Sequence, residues 1–173
     1  MQQQTIAILG ATTKEGVLIT TAFAASEHKL LISAGPDIAE AQWMLIDLRK
    51  HFPAVDAEAI GCDLTAAWEA DIIVAALPAV DLPLVCKKIK EVVNRKIFVV
   101  VGEAWNEHVA RICTELLPNC NHVFITTEWS GKERAELLHS KFDEAELLIS
   151  KLLEEAGINP VTNAYNILQQ ARA

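Results

Sequence analysis

The sequence predicts an α/β fold in three layers: a doubly wound, mostly parallel sheet with helices on both faces. Short apolar runs alternate with longer segments whose apolar residues recur at helical spacing. The run Asp71–Leu77 is apolar at every position after its first residue, which indicates a strand buried on both faces. A glycine-bounded turn, Gly10–Gly16, joins the first run to the next helical segment. Regular alternation of this kind requires right-handed crossovers and a parallel sheet.

Turn-forming residues set the bounds of the elements in the first half of the chain. Gly10 ends the first apolar run, and the Ala-, Leu- and Thr-rich segment after it has no proline. Gly35-Pro36 closes the second run, and Asp37 is placed to cap the next helix. The predicted elements are strand Thr5–Leu9, helix Gly16–Ser26, strand His28–Ala34, a helix from Asp37 through Lys50, strand Ala57–Ile60, helix Leu64–Trp68 and strand Asp71–Leu77.

The same alternation continues through the second half and becomes less regular in the tail. Phe142–Ala156 is strongly amphipathic, and Gly157 stops it. Tyr165–Ala173 is expected to pack loosely or to reach a partner. We predict helix Leu82–Val93, strand Lys96–Val101, helix Asn106–Leu117, strand His122–Thr127, an edge strand at Arg134–His139, helix Phe142–Ala156 and a last short strand at Asn159–Val161.

Length and composition favour one compact domain over residues 1–173. Hydrophobic residues make up 51% and charged residues 22%, with 7 Gly and 6 Pro, so a sizeable core can form. The formal net charge is -8 and no basic cluster is interleaved with aromatics, so nucleic acid is not an expected ligand. The apolar runs are too short to span a bilayer and Met1–Gln4 lacks a basic leader region, which predicts a cytoplasmic protein without membrane binding.

The cysteines and histidines form no readable pattern for a metal or a disulfide. The four cysteines lack CxxC pairing, and a chain of this length does not need disulfides. The five histidines lack HxH and HExxH spacing. We therefore expect reduced thiols and no metal site.

The turn after the first strand lies where a Rossmann-type fold binds the pyrophosphate of a dinucleotide, beside helix N-terminal amides. Gly10 suits the tight turn, and Gly16 suits close packing of helix on strand. Thr13 occupies the middle glycine position of a GxxGxxG variant, where it would either crowd the pyrophosphate or donate a hydroxyl to it. Any doubly wound protein needs such a turn, but we favour dinucleotide binding. The candidate residues are Gly10, Ala11, Thr12, Thr13, Lys14, Glu15 and Gly16.

The end of the second strand should recognise the adenosine ribose. An acid there binds the 2′-hydroxyl of NAD, and an Arg there binds the 2′-phosphate of NADP. Ser33-Ala34-Gly35-Pro36 offers neither group, and Asp37 is favoured as a helix cap over a ribose ligand. Ser33 is kept as a candidate contact, and the choice between NADP and NAD stays open.

The segments Gly10–Gly16, His28–Ile32 and Ala70–Pro78 resemble the NADP oxidoreductases that depend on coenzyme F-420. Related dinucleotide-binding domains occur in pyrroline-5-carboxylate reductases. The resemblance covers roughly the first 105 residues, and Phe142–Val161 is similar to the closing helix and strand of the same family.

This resemblance implies a pyrophosphate held by the glycine turn and a nicotinamide facing the turn at Leu77 and Pro78. It also implies a homodimer. The family's Ser-Arg pair for the 2′-phosphate is replaced by Ala34 and Gly35 in this chain.

The carboxyl ends of the other parallel strands should rim any ligand site. These turns are Pro78–Asp81, Gly102–Asn106 and Thr126–Ser130. The most reactive side chains in these turns are two glutamates and two tryptophans. We favour surface roles for the glutamates and packing roles for the tryptophans, so no catalytic residue is assigned. Hydride transfer between a nicotinamide and a flavin depends more on ring alignment than on a protein acid or base. Those reactive members are Glu103, Trp105, Glu128 and Trp129.

Two classes of function follow from these observations. The leading hypothesis is an NAD(P)-binding oxidoreductase that exchanges hydride with a deazaflavin, a flavin or a small imine or carbonyl substrate. The alternative is a non-catalytic nucleotide-binding or interaction module with a degenerate glycine loop, or a related domain that has lost dinucleotide binding altogether.

Overall fold

The computed structural model describes residues 3–102, 106–127, 135–138, 143–158 and 161–162. Eight strands lie in these residues: β1 Thr5–Leu9, β2 Lys29–Ser33, β3 Ala57–Ala59, β4 Ile72–Ala75, β5 Ile97–Gly102, β6 Asn121–Thr127, β7 Ala135–Leu138 and β8 Val161–Thr162. They form one sheet in the order β3-β2-β1-β4-β5-β6-β7-β8. The pairs among β1 to β6 are parallel, and β7 runs antiparallel to β6.

Six helices in the described residues cover the two faces of this sheet. They are α1 Lys14–Phe23, α2 Ile38–His51, α3 Asp63–Glu69, α4 Leu82–Ile89, α5 Glu107–Leu116 and α6 Asp143–Glu155. One core layer joins α1, α2 and α6 to strand residues such as Ile8 and Ile32. The other joins α3, α4 and α5 to residues such as Leu9 and Leu31. The predicted fold class is confirmed, and the order of β3 to β6 is that of a Rossmann fold.

Strand β4 lies in the middle of the sheet, as its apolar sequence predicts. Its four residues, Ile72–Ala75, are all buried, and their side chains alternate between the two core layers. The strand pairs with β1 on one side and with β5 on the other. Helices on both faces explain why no polar position is needed along it.

Helix caps agree with the turn residues seen in the sequence. Asp37 is the N-cap of α2, and its Oδ1 accepts a hydrogen bond of 2.9 Å from the Ala39 amide. Gly157 follows α6 with a φ of +79°, a conformation that favours glycine after a helix. Both assignments were predicted, and the bounds of most elements differ from the predicted ones by one to four residues.

The tail requires one correction. The segment predicted as an edge strand, Arg134–His139, contains β7, which pairs with β6 on one side and β8 on the other. The edge position therefore belongs to β8, close to the predicted Asn159–Val161. The sequence of β7 does not show that another strand pairs with it. That strand, β8, has only two residues and begins 23 positions after β7 ends, so the prediction placed β7 at the edge. Tyr165–Ala173 lies outside the described residues.

The four cysteines are free thiols, and Cys86, Cys113 and Cys120 are buried. Within the described part of the chain, no group of three or more His, Cys, Asp or Glu side chains is arranged to hold a metal ion. No helix in that part is long and apolar enough to cross a membrane.

Candidate functional site

The order of the strands reverses between β1 and β4, which opens a crevice at their carboxyl ends. From β1 the chain proceeds outward to β2 and β3, whereas β4, β5 and β6 follow on the other side. Parallel sheets bind ligands at such a switch point because the two connecting segments leave in opposite directions. In this chain the crevice is bounded by the turn after β1, the turn after β2 and the turn after β4.

Two glycines allow the turn after β1 to lie against its neighbours. Gly10 has a φ of +75°, and a Cβ there would overlap the carbonyl oxygen of Ala76 and approach Leu77 Cδ2 to 2.7 Å. A Cβ on Gly16 would overlap the Gly10 carbonyl oxygen and come within 2.8 Å of the Ala11 backbone. Gly10 thus permits the tight turn, and Gly16 permits α1 to pack closely on the turn after β1.

Thr13, at the middle glycine position, turns its hydroxyl inward. It is the N-cap of α1, and its Oγ1 accepts a 3.0 Å hydrogen bond from the Gly16 amide. The same oxygen lies 2.9 Å from the Gly10 carbonyl and 2.8 Å from the Ala76 carbonyl, which share its single proton. The hydroxyl thus ties the start of α1 to the end of β4. Of the two predicted roles, donation to a pyrophosphate would require these bonds to break.

The remaining residues of the turn face two different directions. Ala11 is buried, and its amide donates a hydrogen bond of 2.9 Å to the Ser33 carbonyl of β2. Thr12 is exposed, and its hydroxyl donates a hydrogen bond of 3.2 Å to Oε2 of Glu40, which lies in the first turn of α2. Lys14 and Glu15 start α1 and line the cleft on the β4 side. Lys14 provides a positive charge beside this cleft, and the start of α1 provides the positive end of the helix dipole.

The end of β2 is held by a buried polar network. Ser33 is fully buried, and its hydroxyl donates a 2.6 Å hydrogen bond to Oδ1 of Asp63. The other carboxylate oxygen of Asp63 forms an ion pair of 3.6 Å with Lys88 Nζ. The Gly35 amide donates a hydrogen bond of 3.3 Å to the Ser33 hydroxyl. Through these hydrogen bonds Ser33 positions the turn after β2. Its predicted contact with a cofactor stays a prediction.

Cys62 lies next to Asp63 at the N-cap of α3. Hydrogen bonds from the backbone and side chain of Thr65 lower the pKa of its thiol below the usual 9.0, because they stabilise the thiolate. The thiol is partly exposed. It therefore adds negative charge to the α3 side of the crevice when it ionises.

A cleft of about 430 Å³ lies on the other side of the glycine turn, over the ends of β4, β5 and β6. Its walls are mainly apolar and include Leu77, Pro78 and Phe124. Its polar groups include Thr126 and Asn106. The Asn106 Oδ1 atom caps α5 by accepting a hydrogen bond of 3.1 Å from the Val109 amide. An apolar cleft of this volume with a few polar groups suits a planar heteroaromatic ring.

The structure brings together the residues predicted from the glycine turn and from the turn at Leu77 and Pro78. Thr13, Lys14 and Glu15 line the same cleft as these two residues. Of the other predicted rim turns, Gly102, Asn106 and Thr126 also line it. The four most reactive predicted members, Glu103, Trp105, Glu128 and Trp129, lie outside the described residues.

Glu40 was not among the predicted site residues. The pattern Asp37-x-x-Glu40 was available as a signal, since an N-cap Asp followed three residues later by Glu resembles a capping box. A capping box directs the glutamate back to its own helix, whereas here its carboxylate accepts the hydroxyl of Thr12, 28 residues earlier. The contact depends on how α1 and α2 pack, and no local pattern contains that information.

Comparison with protein-family models and with curated proteins found no match for this chain. Solved structures do match. A 3-hydroxyisobutyrate dehydrogenase from Mycobacterium tuberculosis is 13% identical with a TM-score of 0.72, over 93% of this chain and 54% of that one. A pyrroline carboxylate reductase from Plasmodium falciparum with NADP bound is 15% identical with a TM-score of 0.68, over 93% and 58%.

A prephenate dehydrogenase from A. aeolicus in complex with NAD+ and hydroxyphenyl propionate is 13% identical with a TM-score of 0.67, over 94% of this chain and 60% of that one. The chain thus spans little more than half the length of these structures. At this identity the likeness establishes the fold: a Rossmann fold of the kind present in NAD(P)-dependent dehydrogenases and reductases. The closer relation to enzymes that use coenzyme F-420 stays a prediction.

Proposed function

We propose that this chain binds a nicotinamide dinucleotide, NADP or NAD, as part of an oxidoreductase. The observation that carries the proposal is the arrangement at the switch point. Gly10 and Gly16 permit a close turn at the start of α1, and an apolar cleft of about 430 Å³ lies directly beside it. The pyrophosphate would lie at the turn and the nicotinamide in the cleft, against Leu77 and Pro78.

When bound, the dinucleotide supplies the hydride chemistry, and the chain contributes binding and orientation. The apolar walls of the cleft would exclude water from one face of the nicotinamide, while Asn106 and Thr126 offer groups that fix its carboxamide. The hydride partner in this proposal is a small-molecule substrate or a flavin-like coenzyme.

The first test is a thermal unfolding scan with NADH, NADPH and their oxidised forms. Ligand at about 100 times its Kd adds roughly 2.7 kcal/mol, or roughly 5–10 °C for a domain of this size. Lys14→Glu should weaken binding about fivefold to tenfold, because it places a negative charge beside the pyrophosphate. Lys87→Glu is the matched control, because Lys87 is an exposed lysine on α4 outside the cleft. An unchanged melting temperature with all four nucleotides would reject the proposal.

A non-catalytic nucleotide-binding or interaction module is the second candidate. It is favoured by Thr13, whose inward hydroxyl bonds serve the fold rather than a ligand. Binding of NADH without oxidation in the presence of flavins, imines or carbonyl compounds would support this candidate, whereas turnover would reject it.

We also propose a homodimer and a single domain over residues 1–173. Light scattering and limited proteolysis test these points, with a monomer mass or a stable internal fragment as the contrary results.

A further inference from the structure

We propose that Glu40 recognises the adenosine ribose diol and makes the site specific for NAD(H) over NADP(H). The proposal rests on the dinucleotide function proposed above, and it assigns the ribose contact that the end of β2 does not provide. The evidence is the position of the Glu40 carboxylate, the space beside it and the charge of the surrounding side chains.

Glu40 lies in the first turn of α2, and its side chain contacts the turn after β1. Its Oε2 accepts the Thr12 hydroxyl at 3.2 Å, so the carboxylate of α2 reaches the glycine turn itself. With a pyrophosphate at the start of α1, the attached adenosine ribose lies above the ends of β1 and β2. Both Thr12 and Glu40 are exposed, and their hydrogen bond can be exchanged for one to a ribose hydroxyl at small net cost.

No acid stands at the end of β2 to compete for this role. Ser33 is buried and donates its proton to Asp63, and the next two residues are Ala34 and Gly35. At Gly35 a Cβ would meet nothing within 4 Å, so there is open space directly after the strand. Thr12, which bonds to Glu40, follows Ala11, whose amide bonds to the Ser33 carbonyl at the end of β2. We therefore assign the Glu40 carboxylate as the acceptor for the ribose hydroxyl groups.

The direction of the Glu40 side chain strengthens this assignment. Asp37 caps α2 by accepting a 2.9 Å hydrogen bond from the Ala39 amide. The hydrogen bond from Thr12 shows that the Glu40 carboxylate points toward the glycine turn and not back to its own helix. In this proposal an acid in the first turn of α2 takes the place of an acid at the strand end.

The charges around the ribose position oppose a 2′-phosphate. Residues 33–40 include Asp37 and Glu40 but no Lys or Arg. On the α3 side, Lys88 is paired with Asp63 at 3.6 Å. A 2′-phosphate carries about -1.5 to -2 charges, so it would face Glu40 without a dedicated cation. A diol, in contrast, can donate to the carboxylate.

The experiment is a titration of the full chain with NADH and NADPH by calorimetry, repeated with AMP and adenosine 2′,5′-bisphosphate, which differ only in the 2′-phosphate, as probes of the adenosine half. The wild type should bind NADH about tenfold or more tightly than NADPH, and AMP more tightly than the bisphosphate. Glu40→Gln should weaken NADH binding and strengthen NADPH binding, which reduces the ratio of the two Kd values about tenfold. The control, Glu69→Gln on the exposed surface of α3, should keep the wild-type preference.

The possible outcomes separate the two proposals. A wild type that binds NADPH at least as tightly as NADH, or a Glu40→Gln variant with an unchanged ratio, overturns the role of Glu40 and leaves dinucleotide binding intact. Absence of binding by every nucleotide overturns the proposed function and this inference together. Circular dichroism and melting temperature of each variant show whether it is folded, so a loss of binding by unfolding is not counted as support.

Discussion

The turns after β1 and β2 lie side by side at the switch point, but they are built by different means. The first is fixed mainly by close backbone packing, since Gly10 and Gly16 leave room for Ala76 after β4 and for the turn itself, and the Thr13 hydroxyl adds local hydrogen bonds. The second is fixed by side chains, because Ser33 bonds to Asp63 and Asp37 caps α2. A turn fixed by glycine can be recognised from sequence, whereas a turn fixed by distant polar partners is visible only in the fold.

The largest effect is expected from Gly10→Ala, measured against Gly35→Ala. The two glycines have nearly equal φ values, +75° and +81°, so both variants incur the left-handed cost of about 1–2 kcal/mol. Only at Gly10 does the new Cβ overlap a neighbour, the Ala76 carbonyl, which should cost roughly a further 1–3 kcal/mol. Urea unfolding of both variants measures the difference. Equal losses would mean that the first turn is no more sterically constrained than the second.

Ser33→Ala should have the next largest effect, because it removes the hydroxyl that holds the second turn. The 2.6 Å bond to Asp63 is buried and involves a carboxylate, so its loss should lower the free energy of unfolding by about 1.5–3 kcal/mol. Ser26→Ala is the control, since its hydroxyl bonds only to the Phe23 carbonyl in a partly buried turn. Chemical denaturation of the two variants gives the comparison, and a Ser33 effect no larger than that of Ser26 would contradict the network.

The smallest effect is expected at Thr13 in the first turn. Thr13→Val deletes the hydroxyl that caps the Gly16 amide and should cost about 0.5–2 kcal/mol, while Thr13→Ser keeps the hydroxyl and most of the stability. Thermal and urea unfolding distinguish the two variants. If Val and Ser behave alike, the inward hydrogen bonds of Thr13 contribute little, and the first turn depends on its glycines alone.

Most of the fold, apart from the edge strand in the tail, could be predicted from the sequence because its signals are local. Continuous apolar runs such as Ile72–Ala75 indicate central strands, and Gly10, Asp37 and Gly157 mark where elements begin or end. The alternation of strands and helices then restricts the topology, since crossovers are right-handed. These features predict a Rossmann-type parallel sheet, and the order of its strands is seen in the structure.

The candidate site was only partly predictable, because its polar contacts join distant parts of the chain. Ser33 and Asp63 are 30 residues apart, and Thr12 and Glu40 are 28 apart. The direction of the Thr13 hydroxyl depends on the Ala76 carbonyl, 63 residues away. Such contacts are fixed by the packing of α1, α2 and α3 on the sheet, so the sequence identified the residues of the glycine turn but not their partners.

The brevity of β3 limits how this protein can assemble. It contains only three residues, Ala57–Ala59, and it forms one border of the sheet. A second chain adding a strand there would gain few backbone hydrogen bonds, and short border strands are a common protection against uncontrolled strand-to-strand aggregation. The homodimer that we propose is therefore expected to associate through helix surfaces and to leave this border of the sheet unpaired.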